Sequence, residues 1–188
     1  MFEWELRSLL ICAAAWLFIP MAQGGDSAMH PKVVTQAEVT VTGISARTNN
    51  AKEMTGDGVI GQMWGRFMQE GLLGKIPNKV DQSIVAVYTE YASDHDGDYT
   101  FVLGARVRPD AAVPEGMVAK KIPAGKFAVF TSDRGPAPKV VPELWMKINS
   151  LPKTAVGGDR TYRADYEVYD DRAGDPQNVV VDVYLGIR

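Results

Sequence analysis

The sequence predicts an α+β protein made of two copies of a β-α-β-β module, with a largely antiparallel sheet and two helices framing a central ligand groove. Two amphipathic segments, each with a tryptophan on its apolar side, are each followed by two strand-like runs. The first run of each pair contains Tyr-x-x-Tyr, at 88–91 and 166–169. A further strand-like segment precedes each helix. Two packed modules leave a groove at their junction, and small ligands favour such junctions.

Composition limits the function classes. The chain has 188 residues, of which 46% are hydrophobic and 23% charged, as in ordinary globular proteins. The net charge is -3 and the basic residues are scattered, which argues against a nucleic-acid-binding surface. Two histidines and one cysteine are too few for a zinc site. We therefore expect neither a metal nor a cofactor.

Residues 1–28 are interpreted as a leader outside the fold. The apolar run 9–22 is shorter than a membrane span requires, which disfavours a retained anchor. Residues 22–24 resemble the end of a secretory signal, but Glu3 and Glu5 lie where positive charge is expected. A true start near Met29 is slightly favoured and predicts a cytoplasmic protein. Cleavage after residue 24 predicts a periplasmic or secreted one.

The folded domain is assigned to 29–188, with pseudo-repeats at about 32–110 and 115–188. The first helix is predicted from apolar residues at three- and four-residue steps from Ile60 to Met68. Asp57 is in position to cap its start. The second helix repeats this spacing over 141–148, and core packing is the simpler explanation of either helix tryptophan taken alone.

The strands are predicted from alternation and β-branched content. Two hairpins are expected, 83–91 with 99–107 and 161–169 with 179–187. Every second residue from 179 to 187 is aliphatic, so that face is expected to be buried. The segments 33–45 and 117–131 are predicted as the strands before the helices. The second of these is expected to contain a bulge or turn, because Pro123 cannot donate to a ladder.

The acidic loop 94–98 is interpreted as a solvated hairpin turn and not as a calcium site. A calcium-binding EF-hand loop needs a bidentate carboxylate at its twelfth position. Counted from Asp94, that position is Ala105, and no helix follows it.

Glu167 is the candidate binding residue. Alternation places Glu167 and Tyr169 on one strand face and Tyr166 and Val168 on the other. A carboxylate beside aromatic rings in a groove attracts a cationic ligand, and the rings hold it by stacking and cation–π contact. The alternative is a solvent-facing glutamate on an edge strand.

The two Tyr-x-x-Tyr runs also suggest an internal alignment. It equates Tyr91 with Tyr169 and Thr89 with Glu167. One module alone then carries the acid, which would give a bound ligand a preferred orientation.

The order and spacing of several segments resemble the GyrI-like effector-binding domain, which is also the ligand-binding half of AraC-type and MerR-type multidrug regulators. The resemblance covers about 32–188. The segments that carry it are Val33-Val34-Thr35, Val41-Thr42-Gly43-Ile44, the run from Ile122 to Phe130, Leu144-Trp145, Leu151-Pro152, the run from Asp165 to Tyr169 and the run from Val183 to Ile187.

The resemblance implies an aromatic-walled groove that binds diverse, often cationic or lipophilic, organic molecules. It assigns the pocket acid to Glu167 and the aromatic residue of the second helix to Trp145. Internal symmetry extends the predicted site to Trp64, Tyr91 and Tyr169. Such regulators carry an N-terminal helix-turn-helix module, for which no matching segment is found here. We therefore expect a stand-alone domain that does not bind DNA directly.

Three functions are compatible with these patterns. The expected one is the binding of lipophilic, cationic organic compounds. The second is hydrolysis of electrophilic small molecules, with Glu167 as general base. The third is modulation of a protein partner, as a gyrase inhibitor acts within the same family. Tetrapyrrole binding is not expected, because neither His30 nor His95 lies on a predicted groove element.

Overall fold

The computed structural model of the protein describes residues 30–55 and 58–188. The predicted leader 1–28 and the predicted cap Asp57 lie outside these residues. The strands, numbered in chain order, are β1 (Lys32–Gln36), β2 (Val39–Thr48), β3 (Ile84–Thr89), β4 (Tyr99–Val107), β5 (Val118–Ile122), β6 (Gly125–Thr131), β7 (Arg160–Tyr169) and β8 (Asp182–Ile187). The α-helices are α1 (Asn50–Glu53), α2 (Ile60–Gln69), α3 (Leu72–Lys75) and α4 (Ala137–Ser150), and short 3-10 turns lie at Lys153–Ala155 and Asp171–Ala173.

The eight strands form one antiparallel sheet in the order β1-β6-β8-β7-β3-β4-β2-β5. The α+β class predicted from the sequence is therefore confirmed. This strand order is symmetric. If β1 is exchanged with β5, β2 with β6, β3 with β7 and β4 with β8, the same order results in the opposite direction, as expected for a duplicated unit. This arrangement places β3 and β7 side by side at the centre of the sheet.

The segment 33–45 was predicted as one strand, and this prediction is wrong; the interruption predicted near Pro123 in the segment 117–131 is confirmed. Each segment is two strands, β1 and β2 or β5 and β6, separated by two residues. Each short link joins strands near opposite ends of the sheet order. The three Cα–Cα steps across such a link, each of 3.8 Å, span at most about 11 Å. The two edges of the sheet must therefore lie close together. Pro123, which has no N–H, lies in the second link and ends the ladder there.

One face of the sheet is covered by the helices. The apolar side of α2 buries Met63 and Phe67 against β2 and β4, and α4 buries Leu144 and Ile148 against β6 and β8. The backbone N–H groups of Val59 and Ile60 at the start of α2 donate to the carboxylate of Glu53. None of the helices in the described ranges is long and apolar enough to span a bilayer.

The other face of the sheet is lined by β-branched and aromatic residues of its own strands, including Val85, Val102 and Tyr166. The two sheet edges, which lie close together, help to cover this face. The Tyr166 hydroxyl donates to Gln36 Oε1 of edge strand β1 at 2.6 Å. The predicted burial of alternate residues from Val179 to Ile187 is also confirmed, since all five are buried. Between the two faces, the central strands are buried on both sides.

Close packing of β2 against β4 depends on two glycines that pair directly, Gly43 and Gly104. A Cβ atom on Gly104 would overlap the carbonyl of Thr42, and one on Gly43 would overlap the carbonyl of Leu103. A side chain at either position would therefore push the two strands apart.

We predict that Gly104→Ala destabilises the fold by about 1–3 kcal/mol, the usual cost of overpacking. At about 2–4 °C per kcal/mol, the Tm falls by several degrees. Gly61→Ala is the matched control, because a Cβ there meets nothing within 4 Å and alanine is the better helix former. Thermal unfolding of both variants tests this, and an unchanged Tm for Gly104→Ala would contradict it.

Candidate ligand-binding site

The candidate site lies where β3 and β7 pair at the centre of the sheet. The register places Ala86 opposite Glu167 and Tyr88 opposite Asp165. Glu167 is on the helix face of the sheet, as are its neighbours Ala86 and Val183 in the helix-side clusters. Only 1% of Glu167 is exposed, so it is not the solvent-facing residue of an edge strand.

Three side chains from three elements donate hydrogen bonds to the Glu167 carboxylate. Oε1 accepts from the Tyr88 hydroxyl of β3 at 2.7 Å and from the Trp145 indole Nε1 of α4 at 2.6 Å. Oε2 accepts from the Tyr169 hydroxyl of β7 at 2.7 Å. The carboxylate therefore fixes the orientation of three aromatic rings around it.

No lysine, arginine or histidine within residues 30–55 and 58–188 forms an ion pair with Glu167. Burial raises the pKa of the carboxyl, and the hydrogen bonds from Trp145, Tyr169 and Tyr88 oppose that shift. Burial and the nearby carboxylate raise the pKa of the Tyr88 and Tyr169 phenols well above the usual value. Both hydroxyls therefore stay protonated and act as donors.

Further aromatic contacts extend the site from the sheet to both helices. The Trp64 ring of α2 meets Tyr169 edge-on at 4.7 Å between centroids. Tyr88 meets Trp145 at 5.2 Å and Phe101 at 5.2 Å in similar geometry. Trp64 and Trp145 are only partly buried, so part of each residue is accessible to solvent.

The structure brings four of the five predicted residues together: Glu167, Tyr169, Trp145 and Trp64. Tyr91 is not among the donors to Glu167. Its hydroxyl donates to Asp165 Oδ2 at 2.8 Å. The donor that the sequence reasoning missed is Tyr88. That these side chains contact a ligand stays a prediction.

The internal alignment of the two Tyr-x-x-Tyr runs is wrong, and the reason is a local backbone conformation. Glu90 has φ of 53°, in the left-handed region, which ends the alternation of β3. Tyr88 and Tyr91 consequently both pack on the helix side, whereas Tyr166 packs on the other face. Thr89, which the alignment equated with Glu167, pairs with Ala164 of that other face.

Asp165 is a second buried acid on β7, and sequence reasoning did not single it out. It is fully buried, and its Oδ2 accepts from Arg160 Nη2 at 2.5 Å. Its Oδ1 accepts from the Gly186 N–H at 2.9 Å, beside a bulge in β7 that interrupts the ladder with β8. Among the described residues, Asp165 thus has a cationic partner, whereas Glu167 has none.

The acidic loop between β3 and β4 brings one ligand atom each of Asp94, His95 and Asp96 within 4.8 Å of one another. These groups are at the surface, and the Asp94 carboxylate accepts from the Asp96 N–H at 3.0 Å. This hydrogen bond is typical of a tight polar turn.

The fold and the buried acid define a protein of the effector-binding class, and comparison with known proteins agrees. Residues 32–187 match the family model Cass2, described as integron-associated effector binding protein. The chain belongs to this family and is a small-molecule-binding protein.

Individual relatives and solved structures are similar to the chain over most of its length. The chain is 34% identical over 147 residues to the putative transcriptional regulator protein YobU of Bacillus subtilis, covering 78% of this chain and 90% of that protein. It is similar to the integron cassette protein VCH_CASS2 of Vibrio cholerae, with a TM-score of 0.66, 27% identity and coverage of 85% and 96%. It shares its fold with SAV2435, solved bound to tetraphenylphosphonium, with a TM-score of 0.65, 16% identity and coverage of 85% and 94%.

We predict that Glu167→Gln stabilises the protein increasingly as pH rises. Burial raises the pKa of Glu167 in the folded protein above the unfolded-state value of about 4.3. The contribution of this carboxyl to folding stability is therefore present below the unfolded-state pKa and is lost as pH rises through the folded-state pKa. Glutamine keeps an acceptor for Tyr88 and Trp145 without the buried charge. The difference in Tm between variant and wild type should therefore grow by a few degrees between acidic and neutral pH.

Thermal unfolding across this pH range tests the prediction. Glu115→Gln is the control, because Glu115 is exposed and its variant should follow the wild type. A Tm difference for Glu167→Gln that shrinks or stays constant with rising pH would show that the buried carboxyl is not destabilised by ionisation.

Proposed function

We propose that this effector-binding protein takes up lipophilic organic cations, with Glu167 as the counter-charge in the site. The observation that carries the proposal is a carboxylate 1% exposed, surrounded by neutral donors and without an ion-pair partner among the described residues. A buried charge of this kind is costly unless it is paired. A cationic ligand supplies the missing partner.

Charge attraction favours a cation over a neutral molecule of the same shape. Two unit charges about 4 Å apart attract by about 4 kcal/mol at the effective dielectric typical of protein sites. Binding also lowers the pKa of Glu167, because a nearby positive charge favours the ionised form. Ligand binding and release of a proton from Glu167 are thus coupled.

The aromatic rings favour a large, weakly hydrated cation over a small one. Faces of tryptophan and tyrosine attract cations, tryptophan most strongly. Trp145 and Tyr169 are held in place by their hydrogen bonds to Glu167, so little side-chain freedom is lost on binding. The aromatic rings do not provide the set of oxygen ligands that would replace the hydration shell of a metal ion.

The fold-sharing protein SAV2435 supports this ligand class, since it was solved with tetraphenylphosphonium, a lipophilic cation. We further propose that this domain itself makes no direct contact with DNA. The net charge of -3 supports that part of the proposal.

We predict that Glu167→Gln weakens the binding of tetraphenylphosphonium at least about 10-fold, which corresponds to about 1.4 kcal/mol. The neutral triphenylphosphine oxide, which has a similar aromatic body, should lose far less affinity. Isothermal titration calorimetry at neutral pH measures both ligands against the same protein samples.

Glu115→Gln again serves as the matched control, since it removes one exposed carboxylate and should change neither affinity. Equal losses for the cation and the neutral compound, or no loss for either, would exclude Glu167 as the counter-charge.

A further inference from the structure

The two oxygens of the Glu167 carboxylate differ in how far their hydrogen-bonding capacity is used. An ionised carboxylate offers about four acceptor positions, two on each oxygen. Oε1 accepts from Tyr88 at 2.7 Å and from Trp145 at 2.6 Å, which fills both of its positions. Oε2 accepts from Tyr169 at 2.7 Å and from no other donor within residues 30–55 and 58–188. One acceptor position of Oε2 therefore has no partner in this part of the chain.

The rest of the network fixes the direction of this acceptor position. The three donors belong to three elements, β3, α4 and β7, so the carboxylate cannot rotate without breaking a hydrogen bond. The donors to Oε1, Tyr88 and Trp145, pack edge-on against each other at 5.2 Å between centroids. Tyr169, the donor to Oε2, packs edge-on against Trp64 of α2 at 4.7 Å. The position without a partner thus belongs to the oxygen bonded to the Tyr169–Trp64 pair.

Asp165 shows which kind of donor Glu167 lacks. The Asp165 carboxylate also has three donors: the Tyr91 hydroxyl, the Gly186 N–H and the Arg160 guanidinium. One of these three is charged, whereas all three donors to Glu167 are neutral. The number of hydrogen bonds is therefore the same for the two acids. The partner missing at Glu167 is an N–H donor that also carries positive charge.

Organic cations differ in whether they can act as such a donor. A quaternary ammonium or phosphonium ion carries charge but has no N–H group, so it contributes only Coulomb attraction and ring contact. A protonated amine has its charge and its N–H on the same atom. Hydrogen bonds between charged groups are roughly twice as strong as those between neutral ones. A site made of aromatic faces alone, in contrast, suits quaternary ammonium groups.

We propose that the preferred ligands of this site are protonated lipophilic amines, whose N–H donates to Glu167 Oε2 beside Tyr169. The inference rests on the proposed function, because it requires that Glu167 is the counter-charge for a cation. It adds the chemical class of the positive group and the oxygen that this group contacts. Cations without N–H, such as tetraphenylphosphonium, still bind through charge and ring contact but lack this hydrogen bond.

Two drug-like cations with the same aromatic body test the proposal. Diphenhydramine is a tertiary amine that is protonated at neutral pH, and its N-methylated quaternary derivative has the same charge without the N–H. Isothermal titration calorimetry should show the protonated amine binding at least about 10-fold more tightly than the quaternary ion. In Glu167→Gln this preference should be largely lost.

The outcomes separate this inference from the proposed function. Equal affinities, or tighter binding of the quaternary ion, would overturn the hydrogen bond to Oε2 while leaving Glu167 as the counter-charge. Binding of neither cation would contradict both proposals. A preference for the protonated amine that survives unchanged in Glu167→Gln would show that another group accepts the N–H, and would overturn this inference.

Two matched variants identify the oxygen. Tyr169→Phe removes the donor to Oε2, and Tyr88→Phe removes one donor to Oε1. Oε2 becomes the stronger acceptor in the first variant, so the preference for the protonated amine should rise more in Tyr169→Phe than in Tyr88→Phe. The ratio of the two affinities is the readout, because a general loss of stability affects both ligands alike. The opposite order would place the N–H at Oε1 and contradict the assignment.

Discussion

The arrangement of the site depends on one interaction, the burial of the Glu167 carboxylate among neutral hydrogen-bond donors. Hydrogen bonds from two phenols and an indole compensate part of the lost hydration but contribute no full positive charge. Burial of an ionisable group in such a place is costly for stability. Local destabilisation at a binding site is common, because the ligand supplies the missing interaction.

Asp165, the other buried acid of β7, differs from Glu167 in its partners. Asp165 is as buried as Glu167, yet it accepts from Arg160, from Tyr91 and from a backbone N–H left without a ladder partner by the bulge. It stabilises the strand that carries Glu167. Two acids two residues apart thus differ in their surroundings, since among the described residues only Asp165 has a cationic partner.

The symmetry of the sheet explains why the site is central but not symmetric. Placing β3 beside β7 brings one strand of each half to the middle, with α2 and α4 packed over the same face. Tyr88 on one strand meets Glu167 on the other through a hydrogen bond. The two halves therefore contribute different groups to this cluster, and we propose that this asymmetry gives a ligand a preferred orientation.

Much of this arrangement follows from local sequence patterns. Spacing of apolar residues located both helices, and α4 extends only a few residues beyond the predicted stretch. Alternation located the hairpins and placed Glu167 with Tyr169 on one face, opposite Tyr166. These features are set by residues close in sequence, so periodicity reveals them.

The features that sequence reasoning missed depend on contacts between distant residues or on single backbone angles. The left-handed conformation of Glu90 puts Tyr88 and Tyr91 on the same side of the sheet, and no residue pattern marks it. The bulge of β7, with its Asp165–Arg160 pair, became visible only through the register with β8. The division of the segment 33–45 into β1 and β2 depends on pairing with strands that are distant in sequence, β6 for β1 and both β4 and β5 for β2.

The most direct test of the central claim is the pKa of the Glu167 side-chain carboxyl, measured by carbon-13 NMR titration of the protein with and without tetraphenylphosphonium. The free protein should show a pKa above the ordinary glutamate value of about 4.3, because burial without a cation disfavours the charged form. Saturation with the cation should lower that pKa. An ordinary or depressed pKa in the free protein, or a pKa that the cation leaves unchanged, would contradict the account.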